Sequence, residues 1–461
     1  MRFDPRTGFR YPGAGWRQPD GSMTEEHLKP EARAQWSSEP AFVFSMAAAA
    51  VGLGNLWRFP YMVGENGGGA FILAYLLALA IVALPIMMLE VAAGRMRQGS
   101  VVTTYRGITR LGAIYGWAVV LLTVIITSYY LVITGWTLGY TVDAVRLNVS
   151  EFSEFTAGYN SVWYFAAVTG LAWIVLLRGV AAIETLSKVL MPLLALLIAG
   201  LVGFAATLPG WAEARDFMFS WEPGALTNPT LWFFAFGQAF YTLAVGQGYL
   251  VTYGSYIPRK TNVPRAALIV AATETSIALM AGWMIFPFVF THGLDPGAGS
   301  ELAFSTLPVV FDDMAAGWLL AITFFFMFFA AAFSSCLAGL KVIIAVVEEE
   351  LGLSHARAVA AVGLLMLGLG LPSALSFTPV ELTVAGMPFL DFMDQFGGTN
   401  IVVASGVIGA GLLCWVLPPG KVWYALGAKS RWWSWRIFIV GRSLPFAAAA
   451  FLVWRLIAGG G

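Results

Sequence analysis

The feature that most limits this chain is a succession of apolar runs, each about as long as a bilayer is thick. A helix that crosses the hydrocarbon core needs about 20 mostly apolar residues. Such runs fall near 41–62, 70–94, 112–140, 160–178, 187–207, 229–255, 264–291, 315–347, 355–372, 390–417 and 437–457. These eleven predicted spans leave only short loops between them. Composition agrees: 11% of residues are charged, against about 25% in a soluble domain. The expectation is an all-α polytopic membrane protein. A formal net charge of +0 gives no electrostatic footing for nucleic-acid binding.

Sidedness follows from Lys and Arg. They cluster in the first 38 residues (Arg2, Arg6, Arg10, Arg17, Lys29, Arg33) and then in alternate loops. Those loops carry Arg95, Arg97, Arg106 and Arg110, then Arg178 and Lys188, then Arg259, Lys260 and Arg265, then Arg357, then Lys421, Lys429, Arg431 and Arg436. The opposite loops offer little beyond Arg146 and Arg215. The N-terminus is expected inside the cell and, with an odd number of spans, the C-terminus outside. Residues 1–38 lack the early apolar stretch of a signal peptide and read as a partly disordered cytoplasmic tail. Cys336 and Cys414 lie in apolar runs and read as small core residues. No HExxH or CxxC spacing exists, and no nucleophile–base set supports an intramembrane enzyme.

Two spans are interrupted in the same way. The first contains Val51-Gly52-Leu53-Gly54-Asn55, and the sixth contains Ala244-Val245-Gly246-Gln247-Gly248. Glycine costs about 1 kcal/mol relative to alanine inside a helix. Non-helical backbone at membrane depth is tolerated only where it lines a cavity or is buried in protein. Breaks at corresponding places in two halves of a chain point to a transporter's binding site. GxG spacing does not form the single packing face that a GxxxG contact needs.

At these residues the chain resembles the neurotransmitter:sodium symporter family. Ala50 followed by VGLGNLWRFPYMVGENGGGAF is similar to that family's signature. The likeness continues through Pro85, Glu90 to Arg95, Tyr129-Tyr130, Trp136 to Gly139, Gln238 to Gly254 and Ala331 to Ser335. It covers nearly the whole chain beyond residue 33, and the short loop before the fourth span is like that of the bacterial branch. The resemblance implies a LeuT-type fold with a 5+5 inverted repeat. Residues 39–207 would hold helices 1–5 and 208–417 helices 6–10, with an eleventh helix in 418–461.

It also implies site residues. A first sodium site would use Ala50, Asn55, Thr242 and Glu274, the last standing where the family commonly has Asn. A second would use carbonyls of Ala48, Val51 and Ala331 with the hydroxyls of Ser334 and Ser335. Sodium is a hard cation and prefers such oxygens. Glu274 could supply the charge that chloride supplies in animal relatives, so chloride is expected not to be required. Gly52 stands where monoamine carriers have Asp, so the substrate should bring its own carboxylate. That group would lie on the amides near Leu53 and Gly54, with a hydrogen bond from Tyr130. Ile126, Tyr241, Thr242, Ala244, Gln247, Ser334 and Gly339 would line the rest of the substrate site. The small Ala244 and Gly339 suggest room for a large neutral side chain. Arg58 and Asp394 match an outer gate, with Tyr241 as a lid; Arg33 and Glu349 match an inner one. Lys341 departs from the bacterial pattern and is left open between pairing with a carboxylate and snorkelling. The function implied is sodium-coupled symport of a neutral amino acid, with two Na+ ions and no organic cofactor, by a monomer or weak dimer in the plasma membrane. The rivals are a proton-coupled carrier on the same fold and a transporter-like receptor.

Overall fold

Helix starts in this chain carry their caps in the sequence. Ser38 precedes Glu39-Pro40 and accepts a hydrogen bond from the Ala41 amide at 3.2 Å. Asn228 precedes Pro229 and accepts from Thr230 at 2.9 Å; Asn262 accepts from Arg265 at 3.2 Å. Side-chain oxygens at these positions satisfy amides that the first helical turn leaves without partners, and proline there loses no hydrogen bond.

The computed structural model describes residues 2–4, 9–11, 35–219, 223–258, 261–297, 303–304, 307, 311, 317–417, 419–426 and 431–457. It divides into two units, Met1–Ala34 and Gln35–Gly461. In the first, Arg2–Asp4 pairs antiparallel with Phe9–Tyr11, a local pairing that the polar composition of the tail did not announce.

The second unit is helical. We number its principal helices α1 (Glu39–Ala50), α2 (Gly54–Glu65), α3 (Gly69–Arg97), α4 (Gly112–Val145), α5 (Asn160–Leu176), α6 (Val180–Ala205), α7 (Pro229–Thr242), α8 (Tyr249–Gly254), α9 (Val263–Thr291), α10 (Gly317–Leu351), α11 (His355–Ala374), α12 (Phe389–Val416) and α13 (Arg431–Ile457). Among the described residues seven helices are long and apolar enough to cross a membrane unbroken, and the bent pair α1–α2 makes eight. α5 is a shorter apolar helix of 17 residues, and α7–α8 is divided by residues 243–248. α13 overlies the eleventh predicted span but begins six residues earlier. The connections contain short helices, Val101–Arg106, Phe152–Thr156 and Trp211–Phe219, that apolar run length does not detect.

α4 and α10 are the longest helices, at 34 and 35 residues, and they pack against each other. α1 packs on α6, α9 and α10; α7 and α8 pack on successive parts of α3. The two broken spans are thus enclosed by continuous helices. This burial is what lets unwound backbone persist in an apolar chain, because non-helical backbone at membrane depth is tolerated where protein surrounds it.

Candidate functional site

The first break begins where α1 runs out of partners. Val51 turns to an extended conformation, and α1 and α2 diverge by 50°. Helical continuation would bond the Gly52 and Leu53 amides to the Ala48 and Ala49 carbonyls. Instead the Gly52 amide donates to Asn55 Oδ1 at 3.2 Å and the Leu53 amide to the Tyr130 hydroxyl at 2.7 Å. The released carbonyls face α10. Ser334 Oγ donates to the carbonyls of Ala48 and Ala331, both at 2.8 Å. Ser335 Oγ reaches the carbonyls of Ala49 at 3.1 Å and Val51 at 3.3 Å. The five residues assigned from sequence to a second sodium site therefore form one cluster of oxygens. A Cβ on Gly52 would collide with the Tyr130 hydroxyl and Ser335 Oγ, so a side chain at 52 would have to displace one of the groups that hold this break.

The second break runs through left-handed backbone. Ala244 has φ +52°, and Gly246 and Gly248 both have φ +77°. Glycine adopts that region without steric cost, whereas Ala244 is an uncommon occupant. The loop is held by side chains from three other helices. Glu90 of α3, buried, accepts the Gly246 amide at 3.0 Å; Ser405 of α12 donates to the Gly246 carbonyl at 2.6 Å; Thr123 of α4 donates to the Gln247 carbonyl at 2.7 Å. Gln238 ties the two broken spans together. Its amide donates to the Gly54 carbonyl at 2.9 Å and accepts from Arg58 Nη1 at 2.5 Å.

Between the breaks lies a fully buried carboxylate. Glu274 Oε1 accepts from Asn55 Nδ2 at 2.6 Å, from the Thr242 hydroxyl, and from Tyr75 at 3.4 Å; Oε2 accepts from Thr275 at 3.1 Å. Asn55, Thr242 and Glu274 are thus in direct contact, and Ala50 lies in the wall of the adjoining cavity. A buried carboxylate is costly unless its lone pairs are met; here four donors from α2, α3, α7 and α9 converge on it.

That cavity is lined by Ala49, Ala50, Gly54, Ile126, Tyr130, Tyr241, Ala244, Gln247, Tyr249 and Ser335. Ile126, Tyr130, Tyr241, Ala244, Gln247, Ala50 and Gly54 were expected there. Thr242, Ser334 and Gly339 are not in its wall: the Thr242 hydroxyl is directed to Glu274, Ser334 belongs to the carbonyl cluster, and the space beside Gly339 is taken by Thr127 and Tyr249. Leu53 contributes its amide at the edge, through Tyr130. Tyr249 was not anticipated from sequence; its place next to the Gly246–Gly248 break was the available signal.

Arg58 is 2% exposed, and its guanidinium stands 5.0 Å from the Tyr241 ring centre. Asp394 accepts from Tyr129 at 2.8 Å and interacts electrostatically with Arg58. Arg58, Tyr241 and Asp394 are therefore neighbours above one wall of the cavity. Arg33 lies outside the described residues. Glu349 holds the start of a connecting helix, accepting from the Ser100 amide at 2.6 Å and Thr103 at 3.0 Å. Lys341 pairs rather than snorkels: it is 5% exposed and donates to Glu348 at 3.4 Å, and Glu348 also meets His355 Nδ1 at 2.5 Å. Trp36 anchors the approach to α1, its indole donating to the Tyr253 carbonyl at 3.1 Å. Glu184 and Glu90 had no assigned part; Glu184 accepts from the Ser37 amide at 3.0 Å and pairs with Lys188 at 2.6 Å.

Comparison with known proteins bears on this geometry. A family model described as the sodium:neurotransmitter symporter family matches residues 33–161 and 148–421. A sodium-dependent transporter of Haemophilus influenzae is 33% identical over 406 residues, covering 82% of this chain and 88% of its own. One from Bacillus subtilis is 35% identical over 388 residues, covering 81% and 86%. The crystal structure of MhsT in complex with L-phenylalanine matches with a TM-score of 0.84 at 33% identity, over 91% of this chain and 99% of that one. The helical frame is that of a LeuT-type transporter.

Proposed function

The chain belongs to the sodium:neurotransmitter symporter family and is a sodium-dependent transporter, and from that premise we propose that it carries a large neutral amino acid, aliphatic or aromatic, into the cell. The observation that carries the reading is one cavity flanked by two groups of hard oxygens. On one side are Asn55, Thr242 and Glu274. On the other are the carbonyls of Ala48, Val51 and Ala331 with Ser334 and Ser335. Each group would hold one sodium ion, with Ala50 completing the first. The substrate carboxylate would lie on the amides of Leu53 and Gly54 at the N-terminal end of α2, replacing the Tyr130 hydroxyl as the acceptor at Leu53, where backbone amides favour an anion. Tyr130 would then donate to it. The walls beyond carry no charge and are apolar apart from Gln247, Ser335 and tyrosine, which suits a large uncharged side chain. MhsT was crystallised with an aromatic amino acid, which supports the same class.

Alternating access is the mechanism this supports. Residues 39–207 and 208–417 would be the two inverted repeats, with α1–α2 and α7–α8 moving against the rest. Arg58, Tyr241 and Asp394 would close the outer side, and Arg33 with Glu349 the inner. Each charge that crosses 100 mV contributes about 2.3 kcal/mol, so two ions drive strong accumulation. Glu274 supplies a fixed negative charge beside the first ion, so chloride is not needed. The same carboxylate supports a second reading, in which a proton replaces one sodium; four donors around it could hold either form in place.

Equilibrium binding of labelled phenylalanine, tyrosine, tryptophan and leucine to the purified protein tests the site. Saturable binding that requires sodium and is lost in potassium supports the reading. Binding of none of them, or equal binding in both salts, contradicts it.

A further inference from the structure

Gly339 sits in the interior of the 35-residue α10, where glycine weakens a helix. Its missing side chain has a specific consequence. A Cβ there would meet Thr127 Oγ1 and the Tyr249 hydroxyl, each at 2.5 Å. Two hydroxyls from two other helices therefore converge on one bare Cα. Tyr249 is the first residue of α8, directly after the left-handed Gly248, and it lines the cavity. Thr127 is one turn of α4 away from both Thr123 and Tyr130, and it is 2% exposed. Its hydroxyl finds no hydrogen-bond partner of normal geometry in the protein, with the Tyr249 hydroxyl beside it. Gln247, also in the wall, makes a long 3.5 Å contact to the Tyr241 carbonyl.

Of Tyr249, the hydroxyl comes nearest to the empty Cβ position, with Cζ behind it at 3.3 Å, so the group set against Gly339 is a hydrogen-bonding one and not only a ring. A tyrosine hydroxyl can donate and accept at once. Set beside the Thr127 hydroxyl at Gly339, it gives a two-member polar chain carried by a residue of the cavity wall. A buried polar group left unpaired is costly, so such a wall favours a ligand that completes the chain.

We propose that Tyr249, backed by Thr127, is a specificity-determining residue that selects amino acids whose aromatic side chain ends in a hydrogen-bonding group, a phenol or an indole, over those ending in hydrocarbon. This rests on the reading that the cavity binds a neutral amino acid. Sites built to bond a substrate hydroxyl discriminate strongly against the analogue lacking it.

The test is the ratio of dissociation constants for L-phenylalanine, L-tyrosine and L-tryptophan, measured in sodium on the full-length protein. The native protein should bind tyrosine or tryptophan roughly tenfold or more tighter than phenylalanine. Tyr249→Phe should bring that ratio to near one, and Thr127→Val should reduce it in part. Thr127→Val keeps the side chain's shape, so it gives the answer if Tyr249→Phe does not fold. A native protein that binds phenylalanine as tightly as both others overturns the proposal, and so does a preference that survives in the variants. In those cases sodium-dependent binding itself persists, and the reading of the site stands. Failure of all three ligands to bind removes that reading and this proposal together.

Discussion

Replacing Glu274 by glutamine keeps the side chain's shape while removing its charge. In the native structure Asn55, Thr242, Tyr75 and Thr275 all donate to the two carboxylate oxygens. An amide has one oxygen, and its NH2 group faces donors, so at least one of these bonds is lost. If a sodium ion binds beside Asn55 and Thr242, Glu274→Gln also removes the nearest fixed negative charge. A unit charge about 4 Å away contributes roughly 4 kcal/mol at an effective dielectric constant near 20. The amide oxygen retains part of this as a dipole, leaving a loss of about 2–3 kcal/mol. At 1.4 kcal/mol per factor of ten, the sodium concentration for half-saturation should rise about 30- to 150-fold. The assay is a sodium titration of labelled amino-acid binding in gluconate buffer, with monodispersity on gel filtration as the folding control. A folded variant whose half-saturation stays within threefold of native would refute the placement of an ion at Glu274.

Other consequences can be checked more briefly. Ser334→Ala, which removes a hydroxyl bonded to the Ala48 and Ala331 carbonyls, should lower sodium affinity about tenfold without abolishing folding, read by the same titration. Native uptake should be equal in chloride and gluconate; strict chloride dependence would overturn the role given to Glu274. Gly246→Ala should destabilise the protein by about 2 kcal/mol or more, seen as a lower melting temperature, because φ is +77° and a Cβ would strike the backbone of Gly406 at 2.5 Å. Gln238→Ala should cost about 2–4 kcal/mol by removing a buried link between the Gly54 carbonyl and Arg58, measured as the shift in melting temperature.

Much of the frame was legible because two physical signals dominate a membrane chain. Apolar run length placed the helices, and paired glycines marked both breaks at 51–53 and 243–248. The register of α10 over Ala331 to Ser335 came from the family resemblance, and the structure brings Ser334 and Ser335 to the carbonyls of Ala48, Ala49 and Val51. What escaped depended on partners distant in sequence. Nothing local to Glu90 says that it meets the amide of Gly246, 156 residues away. The reading of Gly339 as empty room failed to foresee that a tyrosine from another helix would enter it. The state of Lys341 was likewise undecidable without Glu348 in view, although the two lie two helical turns apart on α10. The short connecting helices were missed because they are amphipathic or polar and too brief for run length to register.

Two oxygen clusters would couple sodium to movement of an amino acid through the cavity between them. Uptake into proteoliposomes tests this coupling most directly: a panel of labelled neutral amino acids, with an inward sodium gradient, with equal sodium on both sides, and with a proton gradient alone. Concentrative uptake of at least one large neutral amino acid should need the sodium gradient and ignore the proton gradient. Uptake driven by protons without sodium would contradict the two-sodium assignment, and sodium-dependent binding without any uptake would make the protein a receptor on a transporter's frame.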